Sequence, residues 1–308
     1  MLGYFGPEGT FTHQALLSLK LDEEATPFPS VAATLDAVRD GSVRAGLVPI
    51  ENSVEGGVSA TLDNLAAGKP LVITGEVLLS VQFGLYGRAG TKLADVRRVV
   101  THPHAAAQVR TWLATHLPGA TVTERGSTAG AAKEVAAPES AFDAAVCAAV
   151  AGEMYGLEPL ASDIADNPDA VTRFILVGRP AAPAARTGHD KTSLVAYMRE
   201  DRSGALLEIL EQFASRGVNL CRIESRPTRE RLGSYCFAID AEGHLSDARM
   251  AEALMGLHRI CKRVDFLGSY PRADKVEPSV DKGFRESDYE KASTWLSALT
   301  GQVLSPGG

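Results

Sequence analysis

"DNPDAVTRFILVG", residues 166–178, passes from turn-forming residues straight into an apolar strand, with Thr172 and Arg173 at the junction. A strand edge holds side chains more rigidly than a loop does, which is what chemistry requires. Thr172 can equally be an ordinary strand former, and Arg173 a solvated strand-end charge. The stretch also divides the chain. Upstream, short apolar strands alternate with helical segments, as in an α/β architecture. "LGYFG" reads as a strand, "TFTHQALLSLK" as a helix starting near Thr10, and "VAATLDAVRDG" as a helix with Gly41 at its C-terminal cap. "AGLVPI" is a buried strand ending in the polar turn "ENSVEGG", and "VSATLDNLAAG" is a third helix closed by glycine. A second lobe follows, with the long strand "EVLLSVQFGLYG", the strand and turn "VRRVVTHPH" and the helix "AAAQVRTWLATHL". "ATVTERGSTAGAAKEVA" then reads as strand, turn and helix, and "AFDAAVCAAVAGEMYGL" as a strand running into a helix. Two such lobes with loop motifs at their strand ends make a cleft between them.

Downstream, residues 181–190 are a linker in a Pro-, Ala- and Gly-rich stretch without periodicity. Residues 191–270 read strand, helix, strand, strand, helix, strand, from "KTSLVAYMR" through "GALLEILEQFASRG", "VNLCRIESRP", "GSYCFAIDAEG" and "SDARMAEALMGLHRI" to "KRVDFLGSY". That order is ferredoxin-like, an α+β fold. The tail, 271–308, is polar at first. "SDYEKASTWLSALTG" then offers a capping box, Ser287 with Glu290, and sets Tyr289, Ala292, Trp295, Leu296 and Leu299 on one face, which predicts a short docked helix.

The 308 residues are 45% hydrophobic and 22% charged, an ordinary globular composition that suggests two or three domains with cores of their own. A net charge of −7 argues against nucleic acid or an anionic membrane as partner. An anionic ligand would need a local device. No apolar run approaches the roughly 20 residues that span a bilayer, and "MLGYFGPEGTF" lacks the basic start and apolar core of an export signal. The expectation is a cytoplasmic protein. Cys147, Cys221, Cys236 and Cys261 show neither C-x-x-C nor histidines at zinc-ligand spacing, and read as buried reduced thiols.

Several motifs bear polar groups. "GPEGTF" can gather backbone N–H groups at a helix N-terminus, where anions are stabilised, or can be a plain turn with Thr10 as N-cap. "PIENSVEGG" places Glu51, Asn52 and Ser53 beyond the carboxyl end of a buried strand, where open α/β sheets bind ligands; capping would explain the same residues. "THPHAAAQ" supplies Thr101, His102, His104 and Gln108, with His104 and Gln108 one helical turn apart. These are too few ligands for a metal, so cleft lining or capping is expected. "GSTAGAA" puts Ser127 and Thr128 at a helix start, another possible anion cradle. His13 and His116 sit on helices without matching partners, and Cys147 with Glu153 lacks a histidine for a nucleophile–base set. G-x-S-x-G, the P-loop and G-x-G-x-x-G are absent, which leaves acyl transfer, NTP and dinucleotide chemistry unsupported.

Together, "GPEGTFTHQA", "PIENSVEG", "THPHAAAQ", "STAGAA", "DNPDAVTRF" and, nearer the C-terminus, "GALLEIL" with "NLCRIESRP" resemble prephenate dehydratase, in its monofunctional bacterial form. They occur in the family's order over about 270 residues, and only the tail lies outside the likeness. The resemblance implies an α/β catalytic domain, 1–180, of two lobes like type II periplasmic binding proteins, one about 1–75 plus 170–180 and the other about 76–169. "TRFILVG" should return to the first lobe. It implies an ACT regulatory domain at 191–270, the ferredoxin-like unit. The implied reaction converts prephenate to phenylpyruvate, water and carbon dioxide, a hydro-lyase step toward phenylalanine without cofactor or metal. L-Phenylalanine is the implied effector, and a homodimer or homotetramer the implied assembly. Arogenate dehydratase, or a silent binding protein with an amino-acid sensor, are the alternatives.

By the same resemblance Thr172 is the proton donor to the departing ring hydroxyl, because hydroxide leaves poorly without one. Arg173 holds the retained carboxylate or braces the loop. Thr10, Asn52, Ser53, Ser127 and Thr128 are further donors, with Thr101, His102 and Gln108 also at the substrate. Glu51 orients a neighbour, and Phe174 shapes the pocket or is core. The chain departs from the family's Asn-x-Thr-Arg-Phe form, since Ala170 stands two before Thr172 and the nearest upstream asparagine is Asn167. For the effector, Gly204, Ala205 and Leu206 open a helix opposite Asn219 and Leu220, with Glu224, Ser225, Arg226 and Pro227 ("ESRP") at an interface between paired ACT domains.

Overall fold

The computed structural model describes residues 1–228 and 234–303. They form two compact units, one of Met1–Pro70 with Val77–Arg179, the other of Leu71–Glu76 with the chain from Pro180 onward. Among these residues no helix is long and apolar enough to cross a membrane.

The chain opens with β1 (Leu2–Phe5), α1 (Phe11–Ser18), β2 (Ala25–Phe28), α2 (Val31–Asp40), β3 (Ala45–Asn52), β4 (Gly56–Gly57), α3 (Ser59–Leu65) and β5 (Val72–Ser80), whose residues up to Glu76 belong to the second unit. A second run gives β6 (Gly84–Gly87), β7 (Arg98–Thr101), α4 (Pro103–Gln108), α5 (Arg110–His116), β8 (Thr121–Glu124), α6 (Thr128–Ala136), β9 (Ala144–Cys147), α7 (Ala149–Met154) and β10 (Glu158–Ala161). The chain then returns with β11 (Val171–Gly178), which enters the first sheet between β3 and β5.

That sheet has the order β2-β1-β3-β11-β5, with β4 appended to β3; β1 runs parallel to β2 and β3, and β11 antiparallel to β3. The other sheet has the order β10-β6-β9-β7-β8. Each has its own core. Leu2, Leu47 and Phe174 pack with Ala15 and Leu16 of α1, while Val99, Leu113 and Val146 anchor the second sheet. Full burial of each large side chain contributes about 1.5–3 kcal/mol. β11, which holds "TRFILVG", lies in the first sheet beside β3, and α2 ends as expected at Gly41, left-handed at φ 88°, with Ser30 Oγ accepting from Ala33 N at 3.1 Å at its start.

Local differences have local causes. β2 and β10, absent from the sequence expectation, contain Pro27 and Pro159, and both lie at sheet edges, where a missing N–H is tolerated. "EVLLSVQFGLYG" divides into β5 and β6 because the chain changes sheets there. The helix over "AAAQVRTWLATHL" breaks at Val109, whose φ of −121° is not helical. α3 ends at Ala66 in right-handed conformation rather than at a glycine.

The second unit carries β12 (Asp190–Tyr197), α8 (Ala205–Ala214), β13 (Leu220–Pro227), β14 (Tyr235–Glu242), α9 (Ala248–Ile260), β15 (Arg263–Pro271) and α10 (Glu286–Val303). Its sheet, β13-β14-β12-β15, is antiparallel throughout, the ferredoxin-like arrangement. Leu194, Ala196, Phe213, Ile239, Met250 and Leu257 form the core beneath α8 and α9. Elsewhere in this sheet Asp240, fully buried, accepts from Ser193 Oγ at 2.5 Å and from Arg222 Nε at 2.9 Å. Gly233, the predicted start of the third strand, and tail residues 304–308 lie outside the described residues.

Ser287 is inside α10 rather than capping it; the Asp288 carboxylate instead accepts from Gly283 N and Arg285 N. Docking is confined to the start of that helix, where Glu286 accepts from Ala248 N at 3.1 Å, while Trp295, Leu296 and Leu299 are exposed. Cys147, Cys236 and Cys261 are buried, but Cys221 faces out from edge strand β13.

Gly268 sits at the β12–β15 register shift with φ 135°, and a Cβ there would stand 2.3 Å from Ile73 O. Gly268→Ala should therefore lower the thermal midpoint by several degrees, read by circular dichroism; an unchanged midpoint would contradict this packing.

Candidate functional site

β3 and β11 run antiparallel, so the end of one meets the start of the other, and Thr172 lies opposite Asn52. Asn52 Oδ1 accepts from the N–H groups of Val54 at 2.8 Å and Glu55 at 3.2 Å, which turns its amide nitrogen toward β11. Asn52 Nδ2 donates to Thr172 Oγ1 at 2.7 Å. A hydroxyl has one hydrogen and two lone pairs. The amide takes a lone pair, and the hydrogen meets no acceptor among the described residues. Ser53 fastens the same junction, its N–H donating to Val171 O at 2.9 Å and its Oγ accepting from Val171 N at 3.0 Å. Asn167 takes no part, its Oδ1 accepting from Asp169 N within the turn.

Thr172 and Phe174 line a cavity of about 220 Å³, below the usual range of about 300–1,000 Å³ for ligand sites. Phe5, Phe11 and Phe83 join Phe174 in its apolar wall, and Phe11 meets Phe83 edge-on at 5.3 Å. Thr10, Asn52, Glu55, His102, His104, Gln108, Gly126, Ser127 and Thr128 make the polar side. Arg173 stands outside this lining. Strand alternation turns it away from Thr172 and Phe174, and its buried guanidinium faces Glu51 at 3.6 Å. Of the two expectations for Arg173, a carboxylate grip or a brace, its pairing with Glu51 outside the lining matches the brace. Ser53 and Thr101 also stand outside the lining; Thr101 is fully buried and donates to Val146 O at 2.7 Å.

Three helix N-termini reach the cavity. Thr10 caps α1 by accepting from His13 N at 3.4 Å, and Ser127 caps α6 by accepting from Gly130 N at 2.9 Å. His102 caps α4, its Nδ1 accepting from His104 N at 3.3 Å. Thr10 and Ser127 therefore spend their oxygens on helix ends. The N–H groups one and two residues further on, at Phe11, Thr12, Thr128 and Ala129, have no intrahelical acceptor. Such groups carry partial positive charge and bind anions. The lining includes no lysine or arginine, so the helix-end N–H groups are its source of directed positive partial charge. Across it, Glu55 accepts from Gln108 Nε2 at 3.1 Å and pairs with His104 Nδ1. Glu55, Phe11, Phe83 and Gly126 were not among the expected site residues. Glu55, Phe11 and Gly126 lie within quoted motifs and Phe83 between β5 and β6, but only the folded chain turns them to one space. Among the described residues, no group of three or more His, Cys, Asp or Glu is placed to hold a metal ion.

In the second unit, Gly204 (φ 87°), Ala205, Leu206 and Ser225 line a cavity of about 400 Å³ with Arg202, Leu210 and Phe237. Asn219, Leu220, Glu224, Arg226 and Pro227 stand outside it. Asn219 O accepts from Glu242 N, and Glu224 pairs with Arg222 at 3.2 Å and Arg226 at 3.5 Å.

Burial lowers the pKa of His13 and of His102 below 6.5; the charge of His104 adds to the effect at His102, while Glu8 opposes it at His13, and Glu55 and Glu124 at His102. Both rings favour the neutral form when folded. Their contribution is intact above pH 6.5 and is lost as pH falls through the lowered folded values, because the unfolded chain takes up protons first. Acidification below that point should lower the melting temperature, and a His13→Gln, His102→Gln protein should show a flatter dependence. Parallel curves for the two proteins would count against this.

The family model "Prephenate dehydratase" matches residues 2–182, and the model "ACT domain" matches residues 192–259. A prephenate dehydratase of Amycolatopsis methanolica is 47% identical over 300 residues, covering 97% of each chain. The crystal structure of prephenate dehydratase from Arthrobacter aurescens in complex with L-Phe superposes with a TM-score of 0.92 at 49% identity, over 97% of this chain and 99% of that one. A structure described as a novel type of quorum-quenching acylase superposes at 0.80 with 32% identity, over 88% of this chain and 97% of that one.

Proposed function

The chain belongs to the prephenate dehydratase family, and we propose that its cavity eliminates water and carbon dioxide from prephenate with Thr172 as the proton donor. Prephenate is a dianion with a ring hydroxyl and a ring carboxylate on opposite carbons. The carboxylate's C–C electrons enter the ring as carbon dioxide departs, and the C–O electrons leave with the hydroxyl oxygen. One proton passes from the Thr172 hydroxyl to that oxygen, and the threonine oxygen, held by the Asn52 amide, regains a proton from solvent, so that prephenate and one proton give phenylpyruvate, carbon dioxide and water. Aromatisation drives the step, so the donor can be a weak acid if it is well placed. The observation that carries this reading is the bond from Asn52 Nδ2 to Thr172 Oγ1, which leaves the threonine hydrogen for the cavity.

The helix N-termini at Phe11, Thr12 and Thr128 suit the pyruvyl carboxylate, and the phenylalanines suit the ring. A cationic clamp on the departing carboxylate would stabilise the ground state and slow decarboxylation. A lining without lysine or arginine avoids that. Arg173 and Glu51 brace β3 against β11, and Thr101 supports β7. An acylase reading lacks a nucleophile–base pair, because among the described residues none of the lining hydroxyls of Thr10, Thr12, Ser127, Thr128 and Thr172 is hydrogen-bonded to His102, His104 or Glu55.

We assign the catalytic domain to 1–180, with lobes of about 1–75 plus 170–180 and about 76–169, the linker to 181–190, the regulatory domain to 191–270 and the tail to 271–308. L-Phenylalanine is the effector, its carboxylate at the N-terminus of α8 in the cavity of Gly204, Ala205 and Leu206; the L-Phe complex of the Arthrobacter relative supports this. A homodimer or homotetramer would join Glu224, Arg226 and Pro227 across paired regulatory domains. Four free cysteines suit a reducing compartment, and we place the enzyme in the cytoplasm.

Thr172→Ala should lower kcat for phenylpyruvate formation by about a hundred- to ten-thousand-fold, with Thr172→Ser restoring much of it. Undiminished turnover by the alanine protein would remove Thr172 from the mechanism, and preferential turnover of arogenate would change the substrate. Leu206→Asp puts a carboxylate in the first turn of α8, and should weaken L-phenylalanine binding about tenfold or more in calorimetry; unchanged affinity would place the effector elsewhere.

A further inference from the structure

We infer that His104 is a specificity-determining residue: paired on Glu55 at the cavity mouth, it cancels the lining's negative charge and so favours a doubly anionic keto acid over its amino counterpart. The inference rests on the reaction proposed above. Glu55 is the one acidic side chain of the lining among the described residues. Its Oε1 accepts from Gln108 Nε2 at 3.1 Å, and its Oε2 meets His104 Nδ1. The amide is neutral and leaves the charge in place. A carboxylate only accepts, so His104 Nδ1 bears a hydrogen, and in the imidazolium form the pair has no net charge. His102, the other imidazole of the lining, is held toward its neutral form by burial first and by the charge of His104 second, against Glu55 and Glu124, and does not offset Glu55. His104 thus decides whether the wall is neutral or negative. Its side chain is 65% exposed and that of Glu55 33%, so both meet an arriving ligand.

Prephenate carries two carboxylates and a ketone; arogenate has an ammonium where the ketone stands. The first is a dianion, and the second has one net negative charge. The helix N-termini of α1 and α6 suit a carboxylate of either compound and do not discriminate between them. An uncompensated Glu55 does discriminate. It repels the dianion more strongly wherever the ligand's groups lie, because the difference is one of net charge. A cavity of about 220 Å³ keeps those charges within about a Debye length of the wall, roughly 8–10 Å, so salt screens them incompletely. Solvent at the mouth keeps the effective dielectric high, which limits the effect to about three- to tenfold in binding.

The test measures, by calorimetry, the affinities of two unreactive ring-saturated prephenate analogues that keep the ring hydroxyl, one with the ketone and one with an amino group in its place. The unaltered protein should prefer the keto analogue. His104→Leu leaves the Glu55 charge uncompensated and should shift that preference toward the amino analogue by about three- to tenfold, a shift that shrinks as salt is raised. A His104→Leu, Glu55→Gln protein has lost both charges and should regain the original preference. The original preference persisting in a His104→Leu protein of normal melting temperature would overturn the inference. So would a double variant as shifted as the single one, or a shift indifferent to salt, since each assigns the effect to lost contacts. Binding is read apart from turnover. An unaltered protein that binds the keto analogue yet forms no phenylpyruvate from prephenate would overturn the reaction assignment, and with it the substrate that this preference serves.

Discussion

The hydrogen bond from Asn52 Nδ2 to Thr172 Oγ1 joins residues 120 apart in the chain, at the meeting of two antiparallel strand ends. It exists because the chain leaves the second sheet after β10 and β11 enters the first sheet beside β3. Much in the cavity depends on that return. The strand pairing sets the register, Ser53 secures Val171 on both sides of its peptide, and the fixed Asn52 amide determines which way the Thr172 hydrogen points. An ordinary hydroxyl is given a direction by its neighbours.

Electrostatics follows the same economy. A chain of net charge −7 has to accept a dianion. The N-termini of α1 and α6 offer directed partial charges without mobile cationic side chains. Backbone dipoles of this kind are already oriented before substrate arrives, so little reorganisation accompanies the reaction. Glu55 adds a negative charge to the wall, but His104 and Gln108 take up both of its oxygens.

The fold was largely legible because its signals are local. Alternating strands and helices, the proline-rich linker and the strand–helix–strand–strand–helix–strand order all follow from periodicity and turn residues. β2 and β10 were hidden by Pro27 and Pro159, which oppose a strand reading except at an edge, and edges are known only once the sheet exists. The site was legible as motifs but not as directions. Thr172 and Asn52 were both visible, yet their contact needs the long-range register. Arg173 looked like an anion clamp because of its charge, and a single step of strand alternation turned it to Glu51. Thr10 and Ser127 were legible as hydroxyls, while their use as caps hands anion binding to the N–H groups after them. The Glu55 pairings depend on α4 facing the β3–β4 loop, which nothing in the local sequence encodes.

The central claim is that a hydroxyl, oriented from one side by an amide, hands its hydrogen to the oxygen that departs as the ring becomes aromatic. A crystal structure of the protein with the hydroxylated, ring-saturated analogue measures this most directly. The account predicts the analogue's ring oxygen within hydrogen-bond distance of Thr172 Oγ1, with Asn52 Nδ2 still on the opposite side of that hydroxyl. A ring oxygen met by another donor, with the Thr172 side chain turned out of the cavity, would contradict it.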